Sequence, residues 1–164
     1  YAISKSGILR AIGSEAVASA LYGATWNKQI DDLPDAFFVN YKVGAPIDAA
    51  DGYDKQVLKT AVPTINVDKL LAPAPAGYVD IGANSGFQPS AMTVPRGTKV
   101  TWIALDESHP FVASNPHPIH TDQAGLESDT LHMGETFSYT YPQAGSWGYH
   151  NHNAPAQTGT VTVQ

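Results

Sequence analysis

The chain has 164 residues, of which 43% are hydrophobic and 15% charged, and it contains no cysteine. This length suits one domain with a hydrophobic core, and the lack of thiols excludes disulfides, a thiolate nucleophile, cysteine-ligated zinc or iron–sulfur centres, and a copper–thiolate bond. Nine Lys and Arg against fifteen Asp and Glu give a formal charge of −6, which argues against a nucleic-acid partner because such partners are bound by clustered cations.

The charge is unevenly distributed along the chain. All nine Lys and Arg lie within residues 1–99, where nine acidic residues balance them. Residues 100–164 contain six acidic residues and all six histidines. A segment of this composition attracts cations.

The first predicted element is a helix over about residues 7–22. Its apolar residues form one helical stripe, Ser6 is a plausible N-cap, and Gly23 is a plausible stop. We expect this helix to pack on its own domain or to dock on a neighbouring subunit. Arg10 and Glu15 interrupt its apolar run, so no membrane span is predicted. The first residue is Tyr1 rather than Met, which favours an exported protein in the cell envelope or outside the cell.

The middle of the chain is mixed. Residues 36–43 are typical of a strand, and the alternating Ala and Pro of residues 72–76 indicate a stiff linker. We therefore divide the chain into an N-terminal extension, residues 1–76, and a second domain, residues 77–164.

Short runs of alternating polarity, separated by Gly, Pro and Asn, predict an all-β second domain. In the first run, Val100, Trp102 and Ala104 share one face, which is the pattern of a half-buried strand. The clearest runs are residues 98–105, 136–141, 145–152 and 158–164. Together they predict a two-sheet sandwich of about 90 residues.

Two histidines at the end of one predicted strand suggest a metal site. Because side chains alternate along a strand, His150 and His152 share one face, while Trp147, Tyr149 and Asn151 share the other. The aromatic face gains more from burial, so we expect the two imidazoles to project outward, at the surface or at an interface.

A metal ion held by two imidazoles needs at least one more ligand. The loop containing His117 and His120 is the obvious donor if its strand lies beside that of His150, with His120 preferred. His109 is a more distant candidate that we expect to orient a ligand, and His132 is expected to be solvated at a turn.

The second domain resembles the cupredoxins, a family of copper-binding β-sandwiches. Residues 86–102 are similar to the opening strands of the family, residues 133–147 to the stretch before its metal loop, and residues 159–163 to its last strand. The resemblance covers residues 77–164 and implies a cupredoxin-like Greek-key sandwich with copper as its cofactor.

The metal loop departs from the blue-copper pattern. Blue-copper members carry a cysteine at the end of the penultimate strand, where this chain has Asn151. The loop resembles instead the His-Cys-His triplet of multicopper oxidases, which implies His150, His152 and His120 as copper ligands. His117 matches a ligand of the missing blue centre, so its role stays open. The additional histidine pairs of an oxygen-reducing cluster are missing, so oxidase activity is not implied.

Three functions are compatible with these residues. The first is an exported protein with a mononuclear copper site of His117, His120, His150 and His152, for metal storage, delivery or slow redox chemistry, with zinc as the alternative metal. The second is a structural subunit that forms a homo-oligomer through its N-terminal extension, with metal at the interface. The third is a copper enzyme with a site between subunits, for which Asp122 is the only candidate acid–base or orienting group. A non-enzymatic protein is favoured.

Overall fold

The computed structural model describes residues 1–164. Eleven strands form three sheets, and four short α-helices lie in the first half of the chain. The strands are β1 (Ala2–Ser4), β2 (Ile8–Ile12), β3 (Lys42–Ile47), β4 (Tyr78–Gly82), β5 (Gly86–Gln88), β6 (Ala91–Val94), β7 (Lys99–Ala104), β8 (Val112–Ser114), β9 (Thr136–Thr140), β10 (Gly145–Asn151) and β11 (Ala154–Val163). The helices are α1 (Glu15–Tyr22), α2 (Asp35–Phe38), α3 (Lys55–Ala61) and α4 (Ile65–Asp68).

Strands β4 to β11 form a sandwich of two four-stranded sheets. One sheet has the order β5-β4-β7-β9 and the other the order β6-β11-β10-β8. Only the β4–β5 and β10–β11 connections stay within one sheet. All the remaining connections cross from one sheet to the other, as in Greek-key sandwiches. The predicted fold class, an all-β Greek-key sandwich, is confirmed.

Apolar side chains from both sheets fill the space between them. Val100, Trp102 and Ala104 point inward from β7, as the alternation predicts. The ring of Tyr149, from the opposite sheet, makes edge contacts with Trp102 and Phe87, with centroids 5.2 Å and 4.8 Å away. Such aromatic contacts fix the spacing of the sheets, and with it the position of the strand that carries His150.

The predicted helix over residues 7–22 is wrong in its first half. Residues 8–12 form β2, which pairs with β1 and β3, and the helix starts only at Glu15. Ser14 is the actual N-cap, because its hydroxyl accepts a hydrogen bond from the Val17 N–H. Ile8 and Leu9 are both buried, since β2 is covered on its two faces, and a continuous apolar run of this kind does not distinguish a buried strand from a helix.

The strand predicted for residues 36–43 is also misplaced. Residues 35–38 form α2, and the strand begins at Lys42. Residues 72–77, which include the predicted linker, contain neither helix nor strand. The division of the chain into domains at this segment stays a prediction. None of the helices has the length and apolar character needed to cross a membrane.

Buried polar contacts join the extension to the sandwich. The Lys5 ammonium donates hydrogen bonds to both carboxylate oxygens of Asp80, at 2.8 Å and 2.7 Å, and the two side chains are almost fully buried. Arg10, also buried, donates to the carbonyl of Gly134 at 3.2 Å and to that of Ala45 at 2.8 Å. The extension is thereby fixed on the sheet that contains β4.

Replacing Lys5 by Met should destabilise the protein by about 3–5 kcal/mol, because it leaves the buried Asp80 carboxylate without a partner. The double variant K5M/D80N removes the unpaired charge and should be less destabilised than the two single variants together. Urea denaturation measures these differences. The Lys69–Asp68 pair, in which the Lys69 side chain is 55% exposed, is the control, and K69A should change stability by no more than ~1 kcal/mol. A K5M effect as small as that of K69A would contradict the buried pair.

Candidate metal centre

Strand pairing brings the two histidine-bearing segments together. β8 runs antiparallel to β10, with Ala113 opposite His150. Residues 115–120 follow β8 as a loop, and the Asn115 N–H donates to the carbonyl of Gly148 at 3.2 Å. The loop therefore folds back over the end of β10.

Four imidazoles meet at this end of the sandwich, those of His117, His120, His150 and His152. One ring nitrogen of each lies within 4.8 Å of the corresponding nitrogens of the others. His117 Nδ1 is 3.2 Å from His150 Nε2, and His152 Nδ1 is 3.0 Å from His120 Nε2. Two ligand atoms of a tetrahedral ion with bonds of ~2.1 Å lie ~3.4 Å apart. The spacing of these nitrogens therefore suits a single metal ion.

An amide group orients the His150 ring. His150 Nδ1 is 3.1 Å from Asn115 Oδ1, and an amide oxygen only accepts hydrogen bonds. Nδ1 therefore carries the proton, which leaves the lone pair on Nε2, the nitrogen that faces His117. A side chain at position 148 would collide with the Asn115 amide, so Gly148 leaves room for the orienting group.

A carboxylate orients the His120 ring in the same way. His120 Nδ1 donates to Glu127 Oε1 at 2.9 Å, so the lone pair is on Nε2 and faces His152. Glu127 is held in place because its backbone forms a bridge with Ala113 in β8. The His120 backbone has φ +50°, a conformation that persists only where the surrounding structure fixes it.

His152 lies in the turn immediately after β10. Its N–H donates to the carbonyl of Phe111 at 2.7 Å. The Phe111 ring also lies against this side of the cluster, with its centroid 5.0 Å from the ring of His152 and 5.9 Å from that of His120. This contact covers one side of the cluster with an apolar surface.

The histidine pair projects away from the sandwich core, as expected, but the expected position at the surface is wrong for His150. The alternation along β10 does bury Tyr149 in the core, and it does bring His150 and His152 to the same cluster, with ring centroids 6.4 Å apart. His150, however, is only 2% exposed. The reason is that residues 115–120 close over it, which strand alternation alone does not reveal.

Asn151, where the sequence resemblance would place the blue-copper cysteine, is fully engaged in hydrogen bonds within the fold. Its Oδ1 accepts hydrogen bonds from the N–H groups of Phe111 at 3.0 Å and Asn153 at 3.2 Å. Its Nδ2 donates to Gln157 Oε1 at 2.9 Å. The side chain therefore fixes the loop after β10 and has no free group for a metal ion.

The electrostatics of the cluster favour neutral His150. Burial lowers the pKa of His150, and repulsion from charge on His120, His117 and His152 lowers it further. This ring therefore keeps its Nε2 lone pair in solutions below the usual pKa of histidine, ~6.5.

The remaining two histidines lie outside the cluster. His109 Nε2 is 3.4 Å from Glu107 Oε2, and its ring is in edge contact with that of His132, with centroids 4.9 Å apart. The His109 side chain therefore contacts Glu107 and His132, and the expectation that it orients a cluster ligand is wrong. His132 is exposed beside a turn, as expected, and its ring also contacts that of His109.

Sequence reasoning missed the two orienting residues. Asn115 lies two residues before His117. An asparagine in a loop does not by itself indicate a hydrogen bond to a histidine ring. Glu127 is seven residues from His120, and the nearer Asp122 was the expected orienting group. Glu127 makes that hydrogen bond instead. Its backbone pairs with Ala113 of β8 in an isolated β-bridge, which brings Glu127 alongside the cluster.

No family model matches the chain, and no curated protein is similar to it. Solved structures that are similar include a purple cupredoxin from Nitrosopumilus maritimus, with 23% identity over 53% of this chain and 98% of that protein, and a TM-score of 0.47. An oxidised mutant of amicyanin has 25% identity over 53% of this chain and 80% of its own, with a TM-score of 0.46. A reduced amicyanin mutant has 24% identity over 55% and 85%, also with a TM-score of 0.46.

The lowered pKa of His150 predicts an acid-sensitive metal-free protein. As the pH falls below ~6.5, His150 in the unfolded chain gains a proton before the buried ring does, so the free energy of unfolding decreases. Replacing His150 by Gln should therefore flatten the dependence of stability on pH between about 7 and 5.

Urea denaturation at several pH values, with chelator present, measures this dependence. H132Q removes an exposed imidazole and is the matched control, so only H150Q should flatten the curve. The same pH dependence in H150Q and in the unsubstituted protein would show that the buried ring is not responsible.

Proposed function

We propose that the protein binds one copper ion tightly through His117, His120, His150 and His152. The main support is the convergence of four imidazole nitrogens, of which adjacent ones are 3.0 Å and 3.2 Å apart. Two of the rings have their outer nitrogens hydrogen-bonded to Glu127 and Asn115, the arrangement that fixes metal-ligating histidines.

The donor set favours copper. Imidazole nitrogens suit both copper and zinc, whereas hard cations such as Ca²⁺ and Mg²⁺ prefer oxygen ligands. At equal availability the Irving–Williams order favours Cu(II), and zinc is the alternative ion. The choice between the two metals also depends on their availability where the protein is located. The proposed location is extracellular or in the cell envelope.

The proposed role is copper binding for storage, delivery or slow redox chemistry. A bound copper ion would supply a one-electron redox couple, but this site offers no thiolate to convey electrons quickly. Asn151 stands where that thiolate would be, and all its polar atoms are engaged. His117 lies on an exposed loop, which gives an ion a route into and out of the cluster.

Titrating Cu(II) into the metal-free protein should reveal a tight equivalent with nitrogen hyperfine splitting in its paramagnetic resonance and only weak visible absorption. H150Q should lose this equivalent, because it removes a central ligand, whereas H132Q should retain it. An intense band at about 600 nm, or the absence of stoichiometric binding, would refute the all-histidine copper site.

The same titration distinguishes the orienting residue from its neighbour. E127Q replaces the carboxylate that holds His120 and should weaken copper binding by ~10–100-fold. D122N alters a nearby exposed carboxylate that does not hold a histidine and should leave the affinity unchanged. Equal effects of the two substitutions would indicate a general loss of negative charge rather than a loss of orientation.

The distribution of exposed apolar side chains favours self-assembly as a second candidate function. Ten of the eleven large apolar residues that are exposed lie in residues 1–76, among them Val39 and Leu71, at 82% and 78% exposure. Sedimentation equilibrium should then give a mass above that of one chain, which V39D/L71D reduces while leaving the tight copper equivalent intact. A monomeric protein before substitution would exclude this function.

A further inference from the structure

A second group of metal-ligating side chains lies outside the four-histidine cluster. Glu107, His109 and His132 each bring one ligand atom within 4.8 Å of the other two. The separation of His109 Nε2 and Glu107 Oε2, 3.4 Å, equals the ~3.4 Å between two ligand atoms of a tetrahedral ion. The edge contact of the two imidazole rings keeps His132 beside this pair.

The loop that carries Glu107 and His109 is fixed by hydrogen bonds. Asp106 Oδ1 accepts from the Ser108 N–H at 3.0 Å, which tightens the turn between the two candidate ligands. The His109 carbonyl accepts from Asn153 Nδ2 at 2.8 Å, and the His109 backbone has φ +51°. The fold thus holds His109 in a conformation that is unfavourable for most residues.

A separate turn positions His132. The Glu135 N–H donates to the His132 carbonyl, and Glu135 Oε2 accepts from the His132 N–H, both at 2.9 Å. Glu135 Oε1 lies 3.7 Å from the Arg10 guanidinium. Glu135 is therefore engaged by the fold, and it leaves the His132 imidazole free to turn towards Glu107 and His109.

The group borders an open cleft. Glu107 and His132 line a cavity of about 410 Å³, together with residues 43–46 of β3, Asp48 and Glu135. An ion at this position would have protein ligands on one side and the water-accessible cleft on the other.

We propose that Glu107, His109 and His132 form a second metal site, for a borderline divalent cation such as Zn²⁺, with water in the positions that face the cleft. Two imidazoles and one carboxylate form the donor set of zinc sites that keep a coordination position open. Magnesium and calcium are disfavoured because two of the three donors are nitrogen. The carboxylate also neutralises part of the charge of the ion.

Calorimetric titration of the metal-free 164-residue protein with ZnCl₂ tests the site. The unsubstituted protein should bind two equivalents, one at each site. H132Q alters an exposed side chain, and H109N retains a residue that tolerates positive φ, so both should fold normally. Each substitution should lower the zinc affinity of one of the two sites by more than ~100-fold. Losing even a residue that only orients a ligand typically lowers metal affinity by ~10–100-fold.

A complementary variant separates the two sites. H120Q/H152Q disables the four-histidine cluster and should still bind one equivalent, which H132Q then removes. The second site is overturned if H120Q/H152Q binds no zinc although circular dichroism shows it folded. It is also overturned if two equivalents persist in both H132Q and H109N, or if the unsubstituted protein binds only one.

Discussion

Two hydrogen bonds on the outer nitrogens of His120 and His150 determine what the four-histidine cluster can do. Without them, either ring could turn its N–H towards the centre of the cluster and present no lone pair there. Glu127 and Asn115 hold the protons outside, because their oxygens only accept hydrogen bonds. Both residues lie in segments that are attached to β8, so the pairing of β8 with β10 positions the histidines and their hydrogen-bond partners together.

At the same end of the sandwich, one polar side chain fixes the loop that follows β10. Asn151 lies at the end of β10 and uses its amide to bind Phe111, Asn153 and Gln157. The neighbouring His150 is buried instead among imidazoles. The imidazole cluster thus lies on the side of the strand that is covered by the loop of residues 115–120.

Sequence alone predicted the sandwich well, because strands such as β7 alternate strictly and Trp102 identifies the core face. It also predicted that His150 and His152 meet His117 and His120. It failed over residues 7–12, where a buried strand and an amphipathic helix have similar patterns. It also failed to identify Glu127, because that contact depends on a bridge between segments, and it assigned no partner to His132, which meets His109 only in the folded chain.

The most direct test is the tautomeric state of the histidines in the metal-free protein, measured by ¹⁵N NMR of the imidazole nitrogens at neutral pH. We expect His120 and His150 to carry their protons on Nδ1, with unprotonated Nε2 atoms facing His152 and His117. A proton on Nε2 of either ring would mean that the cluster is held together by hydrogen bonds alone and is not preorganised for a metal ion.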